Sequence, residues 1–135
     1  MDQTHRGKIV MIDDDPELLN TAKRLLEGGG FEVDTYDRAF NASNFVARAR
    51  PDLVLMDVNM PFLSGDQLAD IFARDAELDH VPIVFFSSND EHSLRNLVRE
   101  RKAAGYIQKS DLLYDFVGKV SRFVNKSRMG LAPQG

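Results

Sequence analysis

The chain has 135 residues, 43% hydrophobic and 28% charged, with 17 basic against 21 acidic residues and a net charge of −4. That balance describes one soluble globular domain, and it excludes the basic footprint of a nucleic-acid binder or of a protein held to anionic lipid. The lack of cysteine excludes disulfides and thiolate chemistry, no apolar run approaches the ~18 residues of a membrane span, and the start lacks a signal-peptide core, so the cytoplasm is the expected location.

Residues 1–6 are polar and are expected to be disordered, 7–125 to form the domain, and 126–135 to be a tail or the start of a linker. Lys8-Ile9-Val10-Met11-Ile12 is a short β-branched run read as the first strand. Asp13, Asp14 and Asp15 follow, with Asp15 suited to an N-cap and Pro16 to the first position of a helix. Leu18, Leu19, Ala22, Leu25 and Leu26 repeat at helical spacing until Gly28-Gly29-Gly30 ends the helix. That glycine run closes a helix and does not follow a strand, so it is not a phosphate-binding fingerprint.

Residues 31–36 alternate like an edge strand, and a weaker helix is expected over about 38–50, with Ala42, Phe45, Val46 and Ala49 inward. Leu53-Val54-Leu55-Met56, bounded by Pro51 and Pro61, reads as a strand buried on both faces, with Asp57 at its carboxyl end. Ser64 and Gln67 form a capping box for a helix carrying Leu68, Ile71 and Phe72 inward. Residues 82–86 form another doubly buried strand ending in Ser87-Ser88. A helix from Asp90 to about Lys102 follows, with Ser88 and Glu91 fitting a box at its start and Leu94, Leu97 and Val98 inside. Residues 105–108 are the fifth strand, followed by Lys109. The last helix is the most strongly patterned, with Leu112, Leu113, Phe116, Val117, Val120, Phe123 and Val124.

Five strands alternating with five helices imply an α/β, flavodoxin-like, doubly wound parallel sheet of order 2-1-3-4-5. In such a sheet every strand's carboxyl end lies on one rim. Asp13 and Asp14, Asp57, Ser87 and Lys109 therefore converge although they are far apart in sequence. Two carboxylates at ~4 Å repel by ~4 kcal/mol at an effective dielectric of ~20, so the cluster calls for a shared proton or a divalent cation. Hard oxygen ligands favour Mg²⁺ (or Mn²⁺) together with phosphoryl oxygens. The chemistry that follows is attack by a carboxylate oxygen on phosphorus. Asp57 is the nucleophile, Asp14 and Asp57 face the metal, and Asp13 tunes its field or holds its water. Lys109 pairs with a phosphoryl oxygen and the Ser87 hydroxyl donates to another. Taken singly, the acids also read as turn and cap residues, Lys109 as a solvated lysine and Tyr106 as partly buried filler. His5, His80 and His92 have no metal-ligand spacing.

Ile12-Asp13-Asp14-Asp15, Met56-Asp57 with Met60-Pro61, Phe86-Ser87-Ser88, and Gly105-Tyr106-Ile107-Gln108-Lys109 resemble, in order and spacing, the signatures of a response-regulator receiver domain of a two-component phosphorelay. The resemblance runs from residue 7 to about 124. It implies that Asp57 accepts phosphate from a phosphohistidine on a sensor histidine kinase or phosphotransfer protein. It also implies a metal contact from the backbone carbonyl of Asn59 and a switch pair of Ser87 and Tyr106. The implied readout surface for a downstream effector is the fourth helix, fifth strand and last helix, with Arg95, Arg99 and Lys119 as exposed candidates. A homodimer on phosphorylation is left open, and no direct contact with nucleic acid or membrane is expected. Such a domain is not an enzyme beyond catalysing its own phosphorylation and dephosphorylation. One departure stands out: the family usually has proline after the lysine, joined by a cis peptide, and here Ser110 follows Lys109.

Two other functions compete. A metal-dependent aspartyl-phosphate phosphohydrolase commonly has a second acid two residues after the nucleophile, where this chain has Asn59. A non-phosphorylated docking module of the same fold would not need the full set of acids, hydroxyl and lysine.

Overall fold

The short apolar runs form strands because each is too brief for a stable helix and is bounded by turn residues. In a computed structural model that describes residues 6–128, they are β1 (Lys8–Ile12), β2 (Glu32–Tyr36), β3 (Leu53–Met56), β4 (Ile83–Ser87) and β5 (Gly105–Gln108). Between and after them come α1 (Pro16–Gly28), α2 (Ala42–Ala49), α3 (Gly65–Ala73), α4 (Glu91–Arg101) and α5 (Phe116–Arg128). All strand pairs are parallel and the order is β2-β1-β3-β4-β5, as the alternation of elements predicts.

Side chains alternate across the sheet and so divide the core into two layers. Val10, Ile12, Val54, Met56 and Phe85 pack with α2, α3 and α4 residues such as Val46, Leu68, Phe72 and Leu94. Ile9, Met11, Leu53, Leu55, Val84 and Phe86 pack with α1 and α5 residues such as Leu26, Phe116 and Val120. The central strands are apolar at successive positions because both faces are covered. Burying one such large side chain contributes about 1.5–3 kcal/mol.

The caps and helix ends depart from expectation in several places. Asp15 caps α1 as predicted, its carboxylate accepting from the N–H groups of Glu17 and Leu18. The Ser64–Gln67 box also forms. At α4, however, Asp90 and not Ser88 is the cap, accepting from the Ser93 N–H at 2.9 Å. A carboxylate one residue before the helix reaches that orphan donor, and Ser88 lies two residues further back. α2 starts at Ala42 because Asn41 is left-handed (φ 66°) and the Tyr36 hydroxyl donates to the Phe40 carbonyl, fixing the preceding loop. In α3, Ala69 is buried while Ile71 is 43% exposed. α5 starts at Phe116, because Lys109–Asp111 form a 3-10 turn and Asp115 is left-handed (φ 57°). Leu112 packs against the α1/α5 layer, but Leu113 is left exposed.

The helix then runs on through residues 126–128, expected to be tail. Arg6, expected in a disordered terminus, donates its N–H to the Gly30 carbonyl at 2.9 Å and its guanidinium to the Gly29 carbonyl and to Ser121. The rest of both terminal expectations, residues 1–5 and 129–135, lies outside the described residues.

Candidate functional site

Strand register assembles the site. β1 and β3 run in step from Ile9 beside Leu53 to Ile12 beside Met56, and the Asp57 N–H continues the ladder to the Ile12 carbonyl at 2.9 Å. Asp13 and Asp57 therefore leave neighbouring strand ends together. β4 ends at Ser87 beside Gln108 of β5, which delivers Lys109 to the same rim. Carboxylate oxygens of Asp13, Asp14 and Asp57 lie within 4.8 Å of one another. Asp13 and Asp57 are almost completely buried, at 1% and 2% exposure, and Asp14 faces water.

The Lys109 ammonium sits between the buried pair, with Nζ 2.9 Å from Asp13 Oδ2 and 3.2 Å from Asp57 Oδ1. The peptide after Lys109 is trans, as no cis peptide occurs among the described residues, so serine in place of proline still brings the lysine to the acids. Burial pushes the Asp57 carboxyl up to about 6, helped by the negative charge of Asp13 and opposed by Lys109 and the Asn59 N–H. Burial also raises Asp13, against the pull of Lys109 and of the Asp15 N–H. For Lys109, burial disfavours the ammonium, but Asp13 and Asp57 outweigh it and the net direction is upward. With all three carboxylates ionised, the one ammonium leaves the pocket two charges negative.

Three hard oxygen donors on a half-open rim, two of them starved of water, fit a small divalent cation. A cation there would complete the neutralisation that Lys109 begins. The donor set has no nitrogen or sulfur ligand that would favour a softer metal.

The other expected residues are placed as follows. Ser87 is fully buried at the end of β4, its Oγ accepting from the Asn89 N–H at 3.1 Å. Asn59 lies two residues past Asp57, its N–H opposing the upward shift of that carboxyl, while its side chain donates to Asn89 Oδ1 at 2.8 Å. Tyr106 faces outward, its hydroxyl donating to Glu91 Oε1 at 2.6 Å. Arg95 is paired with Glu91 and Lys119 with Asp111, and Arg99 donates to Asn96.

The sequence reading missed two residues that shape the site. A Cβ on Gly65 would lie 1.9 Å from the Asp57 carbonyl oxygen, and the Gly65 N–H donates to the Val58 carbonyl at 2.8 Å. Only glycine lets α3 begin directly against the backbone of the strand carrying Asp57. The available signal was a glycine at the first helical turn, just after the Ser64 cap. Asn89 joins three segments by bonding Ser87, Asn59 and, through its carbonyl, Gln108 Nε2 at 3.2 Å. Nothing in the local sequence marks it.

A family model described as "Response regulator receiver domain" matches residues 9–117. Protein PilH of Pseudomonas aeruginosa is 31% identical over 106 residues, covering 76% of this chain and 85% of its own length. Transcriptional regulatory protein PrrA of Mycobacterium leprae is 29% identical over 119 residues; these are 88% of this chain but only 50% of PrrA, so the chain spans about half the length of that relative. Among solved structures, the BeF3-activated N-terminal receiver domain of Klebsiella pneumoniae RstA superposes with a TM-score of 0.76 at 29% identity, covering 87% of this chain and 97% of that one.

Proposed function

This chain belongs to the response regulator receiver domain family of two-component signalling, and on that premise we propose that Asp57 is its phosphoacceptor and that phosphorylation switches the domain's surface toward a downstream partner. The supporting observation is the placement of Asp57: nearly out of water, 3.2 Å from the Lys109 ammonium, and within 4.8 Å of two further carboxylates.

Asp57 Oδ attacks the phosphorus of a phosphohistidine. The O–P bond forms, the P–N bond breaks, and its electron pair returns to the imidazole of the donor. The acyl phosphate is later cleaved by water, which regenerates the carboxylate and releases inorganic phosphate. Such a transition state is loose, so the protein's task is to position groups and neutralise charge. Lys109 is already within reach of the nucleophile and can follow the phosphoryl oxygens. Ser87 lies on the adjacent strand end with its hydroxyl proton available, because its oxygen is accepting from Asn89. Mg²⁺ or Mn²⁺, held by Asp14, Asp57 and the Asn59 carbonyl with Asp13 acting through water, would supply the remaining positive charge. The cytoplasm, a sensor histidine kinase or phosphotransfer protein as donor, and an effector docking on α4, β5 and α5 complete the reading. Among the described residues no helix is long and apolar enough to cross a membrane. An external hydrolase finds no support in Asn59, whose carboxamide is bonded to Asn89 and cannot serve as a general acid.

The test is labelling with acetyl phosphate with and without Mg²⁺, followed by mapping of the modified peptide. The expected result is one metal-dependent, hydroxylamine-sensitive phosphoryl group on Asp57. Sustained turnover of an external phosphomonoester, or labelling elsewhere, would overturn the reading.

A further inference from the structure

On α4, Glu91 occupies a position where an acid normally serves the helix N-terminus, yet Asp90 already caps that end. Glu91 instead makes two contacts with defined directions. Its Oε1 accepts from the Tyr106 hydroxyl of β5 at 2.6 Å, and its Oε2 lies 3.1 Å from the Arg95 guanidinium one turn along α4. Glu91 thereby joins phenol, carboxylate and guanidinium into one triad across α4 and β5. Hydrogen bonding from Tyr106 is the leading cause that holds the Glu91 carboxyl below its usual range.

The neighbourhood explains why this triad matters. Tyr106 stands beside Phe85 of β4 in the sheet register and packs against the apolar layer under α4. Its ring is therefore half in the core and half in water. Two residues along β4, Ser87 is bonded to the loop that leads into α4. Ser87 is thus tied through Asn89 to the segment from which the helix carrying Glu91 starts. The triad side chains of Glu91 and Arg95 are 53% and 62% exposed, which keeps the contact weak enough to be broken.

We propose that Glu91 and Arg95 are positioning residues that clamp the Tyr106 hydroxyl in its outward position and thereby set how much phosphoryl binding is needed to release it. The proposal rests on the phosphoacceptor reading above for its trigger, but the clamp itself is a property of the unphosphorylated chain. By linkage, anything that stabilises the outward ring weakens phosphoryl-mimic binding by the same factor, and removal of the clamp must strengthen it equally.

The experiment follows Tyr106 by NMR of ring-labelled tyrosine, its resonance assigned with Tyr106→Phe, while the Mg²⁺-loaded chain is titrated with beryllofluoride. Glu91→Ala is expected to move the unliganded Tyr106 resonance toward the beryllofluoride-saturated position and to tighten beryllofluoride binding by about 3- to 10-fold. The population shift and the affinity gain should agree. Glu91→Gln, which keeps an acceptor for the phenol but loses the charge pair with Arg95, should give a smaller change of the same sign. Glu100→Ala, an exposed acid elsewhere on α4, should give none. An unmoved Tyr106 resonance in Glu91→Ala refutes the clamp whatever beryllofluoride does. A wild-type chain that binds no beryllofluoride refutes the phosphoacceptor reading instead, and the unliganded resonance still decides the clamp.

Discussion

The Asp57 pocket and the Tyr106 face are joined by β5, which carries Tyr106 and leads into Lys109, and they are built on opposite physical terms. In the pocket, the carboxylates of Asp13 and Asp57 are almost completely out of water and share an ammonium at 2.9 and 3.2 Å. On the Tyr106 face, a phenol and an ion pair meet in solvent. Low dielectric makes each interaction in the pocket strong and makes any unpaired group there costly. Solvent makes each interaction on the face weak and replaceable. Chemistry needs the first arrangement and a reversible switch needs the second.

Substitutions should sort by region, and the largest effects belong to the pocket. Asp57→Asn should abolish phosphoryl incorporation from acetyl phosphate while leaving the fold intact, as read by circular dichroism. Gly65→Ala should come next. The added methyl would have to displace the Asp57 carbonyl, so we expect a loss of about 2–4 kcal/mol in urea unfolding and a labelling rate reduced at least about tenfold. Lys109→Met leaves Asp13 and Asp57 buried without their cation. The expected cost is about 1–3 kcal/mol in metal-free buffer at neutral pH, with labelling slowed by about 10- to 100-fold.

A subtler effect concerns pH. The folded-state value of Asp57, about 6, lies above its unfolded value of ~3.9. Between the two, the folded chain binds more protons than the unfolded one. The contribution of Asp57 to stability in chelator should therefore be fully present below the unfolded value and be lost as pH rises through about 6. The slope should exceed that of Asp57→Asn, with the difference reaching about 1–3 kcal/mol across the window. Mg²⁺ binds the deprotonated carboxylates and should flatten or reverse that slope. Equal pH profiles for wild type and Asp57→Asn would contradict the burial argument. The smallest effect belongs to Glu91→Ala on the exposed face, where only the switching equilibrium moves.

The same contrast governs what was legible in the sequence. The strands, their order and the converging acids were readable, because doubly buried runs and polar strand ends are patterns of whole segments. Lys109 reaches the rim without the usual proline because it directly follows β5. The start of α5 was not readable: Leu112 and Leu113 continue the helical spacing, and only the 3-10 turn and left-handed Asp115 show that the helix has not begun. Ile71 was expected inward, but the buried face of that short helix runs through Leu68, Ala69 and Phe72. The Glu91–Tyr106–Arg95 triad depends on side-chain directions across two elements, and Asn89 on a meeting of three loops. Neither leaves a local signal. Gly65 could be seen as a glycine but not as the neighbour of the Asp57 backbone.

The central claim is that a cation and a phosphoryl group meet at the Asp57 pocket. It is tested most directly by a crystal structure of the chain grown with Mg²⁺ and beryllofluoride. The account predicts the metal on the carboxylates of Asp14 and Asp57, the beryllofluoride on Asp57 Oδ, and Lys109 Nζ and Ser87 Oγ in contact with its fluorines. Beryllofluoride bound anywhere else, or Lys109 still paired with Asp13 while the pocket takes up no metal, would contradict it.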